Sequence, residues 1–99
     1  MPAKAIGLLN STVSESRSHD ERLVIDLAHV RGFQLAHTLT IDADTYMPTT
    51  LILWTAHQHG ATAIVAPNLT HLPGTSTPDA IALACALITP TLTIGRVQH

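Results

Sequence analysis

The fold of this chain is decided by residues 62–72, which read TAIVAPNLTHL. Residues 63–66 form a short apolar run, and such a run is typical of a central parallel strand that is covered on both faces. The polar residues that follow leave the carboxyl end of this strand, where open α/β sheets bind their ligands. We therefore expect the functional site at this loop and at the end of the first strand.

Alternating strands and helices are predicted on both sides of this stretch. Further strands are predicted over residues 3–9, 33–41 and 91–97. Helices are predicted from Ser18 to the stop at Gly32, from Pro48 to the stop at Gly60, and from Thr77 to the stop at Pro90. The order β-α-β-α-β-α-β predicts a single α/β domain over residues 1–99, with three layers, a mostly parallel sheet and a flavodoxin-like topology.

The predicted helices differ in how their apolar residues are arranged. In the first helix, Ser18 is the expected N-cap. Leu23, Leu27 and Val30 follow at i, i+4 and i+7 as the core stripe, which Val24 or Ile25 widens. In the third helix, residues 80–88 would be apolar on every side, so this helix is either deeply buried or forms an interface. The residues predicted to contact a partner are Trp54, Ala80, Ile81, Ala84 and Leu87.

The composition also favours association with a partner. Apolar residues make up 45% of the chain and charged residues only 12%, whereas about 25% charged residues is usual. So little charge leaves apolar surface uncovered on a monomer, and we therefore expect a homo-oligomer or a protein partner. The net charge of −2 argues against a free-standing nucleic-acid binder, which normally presents a basic face.

The cysteine count and the apolar segments predict the cellular compartment of the protein. Cys85 is the single cysteine, so an internal disulfide is impossible, and its apolar neighbours predict a buried, unreactive thiol. The amino terminus lacks the apolar core of a signal peptide, and the sequence lacks a stretch long enough to span a membrane. These features predict a cytoplasmic protein without membrane contact.

Cofactor and metal motifs are missing from the sequence. Neither the G-x-G-x-x-G pattern nor the P-loop pattern occurs, so no cofactor is expected. His57 and His59 are spaced i, i+2, which directs them to different faces of a helix, and His71 lies in another segment. We therefore predict no metal site. The hydroxyl-rich residues 11–18 precede a helix, and this arrangement could hold a small anion.

Four segments, taken in order, carry a resemblance to a known family. They are IGLLNST at residues 6–12, Ile41-Asp42 followed by Met47-Pro48, NLTHLPG at residues 68–74, and TPDA at residues 77–80. With one residue of slack, the first lies over a family motif G-Y-x-R-V-S, and the third lies over K-L-D-R-L-G-R. In this order the chain resembles the amino-terminal catalytic domain of the serine recombinases, the resolvase and invertase family, over almost its whole length.

The resemblance implies a resolvase-like fold and a specific chemistry. The family serine attacks a DNA phosphate and forms a serine-phosphate intermediate, and Ser11 holds that position here. Arg17 and Arg22 are the remaining candidate catalytic cations close to it in the sequence. The residues that the resemblance places around a bound ligand are Asn10, Thr12, Thr70 and His71.

The substitutions within these motifs indicate lost activity. The family arginines are replaced by Leu9, Met47, His71 and Gly74, and the family aspartate by Thr70. An arginine acting on a phosphoryl group contributes about 10³–10⁵ in rate, so these losses together predict essentially no catalysis. Family members also carry a long dimerising helix and a DNA-binding module after this domain, and the sequence ends at His99 without them. Contact with DNA is therefore expected only weakly or through a partner.

Three functional hypotheses follow. The preferred one is a catalytically inactive, serine-recombinase-like domain that acts as an oligomerisation or protein-interaction module, which the resemblance links to DNA recombination. The first alternative is a residual serine recombinase that forms a phosphoserine–DNA intermediate through Ser11. The second alternative is a small flavodoxin-like domain that binds an anionic ligand at residues 11–18.

Overall fold

The computed structural model describes residues 3–72, 81, 85–90 and 93–94. The strands are Lys4–Asn10 (β1), Gln34–Ile41 (β2), Ala61–Val65 (β3), Ala86–Ile88 (β4) and Thr93–Ile94 (β5). The helices are Arg17–Val30 (α1) and Pro48–Gln58 (α2), and a 3₁₀ turn spans Leu69–His71.

The strands form one sheet in the order β2-β1-β3-β4-β5. β1 to β4 run parallel, and β5 is antiparallel to β4. The predicted α/β class with a mostly parallel sheet is therefore confirmed. After β1 the chain builds β2 on one side and then crosses to β3 on the other, so the boundary between β1 and β3 is the topological switch point where such sheets bind ligands.

Residues of β1 alternate between two apolar clusters on opposite faces of the sheet. Ile6 and Leu8 pack with Ile52 and Ala56 of α2 on one face, in the larger cluster. On the other face, Ala5 and Leu9 pack with Val24 and Ala28 of α1. Because successive side chains of a strand point to opposite faces, this central strand is buried between the two helices and the predicted three layers are present.

Helix α1 begins and packs differently from the prediction. Its N-cap is Ser16 rather than Ser18, and the Ser16 hydroxyl accepts a 3.4 Å bond from the His19 main-chain N–H. Val30 was predicted to lie in the core but is 77% exposed. Of the two residues predicted to widen the core stripe, Val24 is fully buried and Ile25 is 49% exposed. The reason is Gly7 of β1, where an added Cβ would lie 2.5 Å from Val24 Cγ1. This close approach determines which face of α1 meets the sheet.

Other boundaries of the first half match the prediction. Gly32 follows the last turn of α1 with a φ of 79°, a left-handed conformation that glycine adopts without strain. Helix α2 starts at Pro48, as expected for a proline in the first turn.

The third predicted helix is wrong over residues 86–88. These residues form β4, and Leu87 pairs with Ile64 in a parallel ladder. A short run that is apolar on every side suits a buried helix and a central strand equally well. Only the pairing with β3 decides between the two. Ile81 is helical, whereas residues 77–80 and 82–84 lie outside the described residues. β5 falls within the strand predicted over residues 91–97.

Two of the predicted partner contacts are wrong for the same reason. Ile81 and Leu87 are 0% and 1% exposed, inside the cluster beneath α2, so neither presents a surface to a partner. Ala80 and Ala84 lie outside the described residues. Trp54 is 58% exposed and remains available for contact.

The Cys85 thiol is buried in the same cluster, as its apolar neighbours predicted. Within the described part of the chain, neither the length nor the hydropathy of any helix suffices for a membrane crossing.

Candidate functional site

A cleft of about 450 Å³ opens at the carboxyl edge of the sheet, beside the switch point between β1 and β3. One wall is the loop after β1 with the first turn of α1, and the other is the loop after β3 with its 3₁₀ turn. The residues that line the cleft are Val13, Glu15, Ser16, His19, Asp20, Asn68, Thr70 and His71.

His71 is the most deeply buried of these residues, at 2% exposure. Its Nδ1 accepts a 2.9 Å hydrogen bond from the main-chain N–H of Asn10, the last residue of β1. Because Nδ1 acts as an acceptor, the neutral ring carries its proton on Nε2. Nε2 lies 3.6 Å from Asp20 Oδ2 of α1. The imidazole thus links the loop after β3 to β1 and faces α1.

Asp20 lies between His71 and a serine. Its Oδ2 accepts a hydrogen bond from the Ser14 hydroxyl, in the loop before α1. Burial lowers the pKa of His71 below its ordinary value near 6.5, and the Asp20 carboxylate opposes this shift only in part. His71 is therefore neutral at physiological pH.

The order Ser14–Asp20–His71 does not activate a nucleophile. In a serine hydrolase the imidazole must accept the proton of the serine hydroxyl, with the carboxylate behind it. Here the carboxylate occupies the middle position, and the acceptor nitrogen of His71 is bonded to main chain. This cluster holds the loops together.

Ser11, the predicted nucleophile, lies outside the lining of the cleft. Its hydroxyl donates a 3.2 Å bond to the main-chain oxygen of Ile41, at the end of β2, and its N–H donates to the same oxygen at 2.8 Å. Two further predicted ligand residues serve the loop in a similar way. Thr12 Oγ1 accepts from the Ala43 N–H at 2.9 Å, and Asn10 Oδ1 accepts from the Thr12 N–H at 3.0 Å.

The two candidate arginines are directed elsewhere. Arg17 Nε donates to Glu21 at 3.1 Å, and its guanidinium also reaches Thr40 Oγ1 at 3.4 Å. Arg22 is exposed on α1. Within the described part of the chain, no guanidinium bonds to the Ser11 hydroxyl.

The positions at which the resemblance would place arginines have separate structural roles. Leu9 is 1% exposed and packs beneath α1, and Met47 is the exposed N-cap of α2. His71 makes the contacts described above. Gly74 lies outside the described residues.

Thr70 shapes the 3₁₀ turn. Its N–H donates a 2.9 Å bond to Asn68 Oδ1, and its hydroxyl bonds to the same oxygen. Of the predicted ligand residues, Thr70 and His71 are therefore the two that face the cleft.

The charges of the cleft are unfavourable for a phosphate. Glu15 and Asp20 contribute carboxylates, and its lining contains neither lysine nor arginine. Because His71 is neutral, it does not offset these charges. A phosphate placed in this cleft would therefore be repelled by its carboxylates.

The histidines that the structure describes do not converge on a metal. No group of three or more His, Cys, Asp or Glu with suitable geometry occurs among the residues that the structure describes. The rings of His37 and His59 stack in parallel, with centroids 4.7 Å apart and an interplanar angle of 6°. Since their lone pairs lie in parallel planes, the two rings do not point at one ion.

Comparisons of the chain with protein-family models, with curated proteins and with solved structures gave no match.

The sequence predicted this edge of the sheet as the site, and Val13, Glu15, Ser16 and Asn68 lie within the two loops that it indicated. The lining residues outside those loops, His19 and Asp20, were not predicted as site residues. A usable signal was present for Asp20, because a carboxylate in the first turn of the helix after β1 must lie near the carboxyl end of β3 in a parallel sheet.

Proposed function

We propose that this chain is a catalytically inactive, serine-recombinase-like domain that acts by associating with a second copy of itself. One observation carries the proposal of inactivity: the Ser11 hydroxyl donates to the main chain of Ile41, and no described guanidinium bonds to it. A serine that cuts DNA needs positive charge around the phosphate. The nearby cleft presents carboxylates instead.

The outer face of α2 supports the proposal of self-association. Thr50, Trp54 and His57 are exposed at i, i+4 and i+7, so they form one stripe along the helix. Met47, at the N-cap, is 53% exposed, and Tyr46 just before it is 86% exposed. Aromatic residues and methionine are enriched in protein interfaces, and tryptophan is the most frequent energetic hot spot.

This face also lacks the charges that normally keep surfaces apart. From Thr45 to Pro78 the sequence contains no Asp, Glu, Lys or Arg. In a two-fold symmetric interface a surface meets an identical surface, so any charge near the axis would face a like charge. The uncharged α2 face avoids this repulsion, which is why we assign it to a second copy.

The backbone conformation of Met47 also supports an interface at this end of α2. It adopts a φ of 47° and a ψ of 59°, a left-handed conformation that is unfavourable for a residue with a side chain. Strain of this kind, of order 1–3 kcal/mol, is retained where the surrounding structure imposes it and is often found at functional positions. We infer that Met47 belongs to the interface.

The proposal extends to compartment and to DNA. Cys85 as the single cysteine fits the reducing cytoplasm. The absence of a clustered basic face in the cleft fits a domain that meets DNA only weakly or through a protein partner.

Self-association is tested by sedimentation velocity at tens of micromolar. Wild type should form a dimer, and Trp54→Glu should weaken it by about 30-fold or more, as for a hot-spot residue. The matched control is Val30→Glu, which replaces another exposed apolar residue, 77% exposed on α1, by the same acid. This control should leave the dimer unchanged. A strict monomer, or equal effects of both variants, would refute the α2 interface.

The single tryptophan gives a second, independent measurement. Because Trp54 is 58% exposed in the isolated chain, its fluorescence should shift to longer wavelength on dilution through the dimer dissociation constant. A spectrum that does not change with concentration would contradict burial of Trp54 in the dimer.

The residual-recombinase alternative predicts a covalent adduct. Plasmid DNA is incubated with wild type and with Ser11→Ala, the reaction is stopped with detergent, and intact mass of the protein is measured. We expect no DNA-linked species from either protein. An adduct formed by wild type alone would restore an active serine.

The anion-binding alternative predicts thermal stabilisation by inorganic phosphate. We expect none, because Glu15 and Asp20 face the cleft. A melting temperature that rises with phosphate, and more than with chloride at equal ionic strength, would favour that alternative over ours.

A further inference from the structure

The bond from the Asn10 N–H to His71 Nδ1 depends on the protonation state of the imidazole. The acceptor is the lone pair that a proton would occupy. It joins residues 61 positions apart, so it holds the 3₁₀ turn after β3 against the end of β1. The ring is almost fully buried, and this contact therefore cannot be exchanged for water without movement of the turn.

The groups around His71 come from α1, the loop before it, β1 and the turn that carries His71. Helix α1 contributes the Asp20 carboxylate at 3.6 Å and the His19 imidazole of the same cleft, and the loop before α1 contributes Glu15. β1 contributes the Asn10 N–H, a donor without charge. The turn that carries His71 contributes Asn68 and Thr70, which are uncharged.

We propose that His71 is a pH-sensitive latch, which closes the loop after β3 onto β1 when neutral and releases it when protonated. A proton on Nδ1 would place two N–H donors face to face at a distance of 2.9 Å. The ring would then have to separate from Asn10, while its charge is still attracted by Asp20. The loop after β3 is thus released from β1 and shifts toward α1, and this changes the width of the cleft. The latch does not depend on self-association or on the absence of catalysis.

The sign of the pH effect follows from the direction of the shift. Burial lowers the pKa of His71 in the folded chain below its value near 6.5 in the unfolded chain. The unfolded chain therefore binds the proton first as the pH falls. Stability is fully present above about pH 6.5 and is lost as the pH falls from there through the folded-state pKa.

Nuclear magnetic resonance on the ¹⁵N-labelled chain tests the latch directly. Above pH 7.5, long-range ¹H–¹⁵N correlations should show Nδ1 of His71 without a proton. On acidification the Asn10 amide should shift with the same midpoint as the His71 ring, and its hydrogen exchange should accelerate through that midpoint.

Two substitutions separate the latch from simple acid unfolding. Asparagine can place a carbonyl oxygen near the position of Nδ1 but does not titrate, so His71→Asn should remove the pH dependence of the Asn10 amide. The folding equilibrium constant of wild type should fall by up to tenfold more per pH unit than that of His71→Asn, within the window below pH 6.5. Asp20→Asn should move the midpoint of His71 to lower pH, since this carboxylate favours the protonated ring.

The control is His29→Gln, an exposed histidine in the last turn of α1, which should leave the Asn10 titration unchanged. The proposal is overturned if Nδ1 carries the proton at pH 8, or if the Asn10 amide stays fixed while His71 titrates. It is equally overturned if His71 stays neutral until the whole chain unfolds. If His71→Asn does not fold, the proposal is still tested by the protonation of Nδ1 in wild type and by the midpoint of the His71 titration in Asp20→Asn.

Discussion

The carboxyl edge of the sheet and the outer face of α2 differ in how their groups find partners. At the edge, Ser11, Ser14 and His71 each bond within the chain, and a serine that could act as a nucleophile is engaged with main chain. On α2, Trp54 and Met47 are exposed and no charged residue accompanies them. The polar groups named at the edge find hydrogen-bond partners within the chain, whereas the large apolar side chains on the α2 face remain exposed.

Under the proposed function, the region that carries the motif resemblance and the surface that acts are different parts of one small domain. The edge retains the order of strand, hydroxyl-rich loop and helix that suggests phosphoryl transfer, but its hydrogen bonds and carboxylates serve the fold. The face of α2 carries no catalytic motif, and its exposed apolar residues are the larger departure from an ordinary surface. Substitutions at the edge should therefore change mainly the free energy of unfolding, and substitutions on the α2 face should change mainly self-association.

The largest effect on stability is expected for His71→Ala. The substitution removes a buried ring and leaves the Asn10 N–H without its acceptor, so the cavity and the unmet donor act together. We expect a loss of about 2–4 kcal/mol in the free energy of unfolding, measured by urea denaturation. A loss under about 0.5 kcal/mol would show that the edge is not held by this residue.

A smaller loss is expected for Gly7→Ala, which tests the packing beneath that edge. The added Cβ would lie 2.5 Å from Val24 Cγ1, so α1 must shift or Val24 must change its rotamer. Overpacking of this kind reduces the free energy of unfolding by about 1–3 kcal/mol. Gly7→Ala combined with Val24→Ala should recover part of the loss, and a double variant no more stable than Gly7→Ala would contradict the close contact.

The smallest effect on the stability of the fold is expected for Trp54→Ala, on the outer face of α2. More than half of this side chain is exposed, so under conditions where the chain is monomeric the free energy of unfolding should change by only about 0.5 kcal/mol. The same variant should weaken self-association strongly. A large loss of monomer stability would mean that Trp54 belongs to the core rather than to an interface.

Much of the architecture could be predicted from local sequence alone. The apolar run of β3, the proline that opens α2 and the glycine that ends α1 each act through short-range geometry, and their positions are confirmed. Once strands and helices alternate, crossover rules imply a mostly parallel sheet. The place of the site, at the carboxyl ends of β1 and β3, follows from that topology.

Other features were decided by contacts between distant parts of the chain. Residues 86–88 became a strand because β3 offers them a parallel partner. Val24 is buried and Val30 is exposed because Gly7 lets the Val24 face of α1 approach the sheet. His71 acquired its role from Asn10 and Asp20, neither of which is near it in sequence. The sequence by itself determined the order of the elements, because each depends on the energies of a few neighbouring residues. Only the tertiary structure decided which groups are buried together, because that depends on which surfaces the folded chain brings into contact.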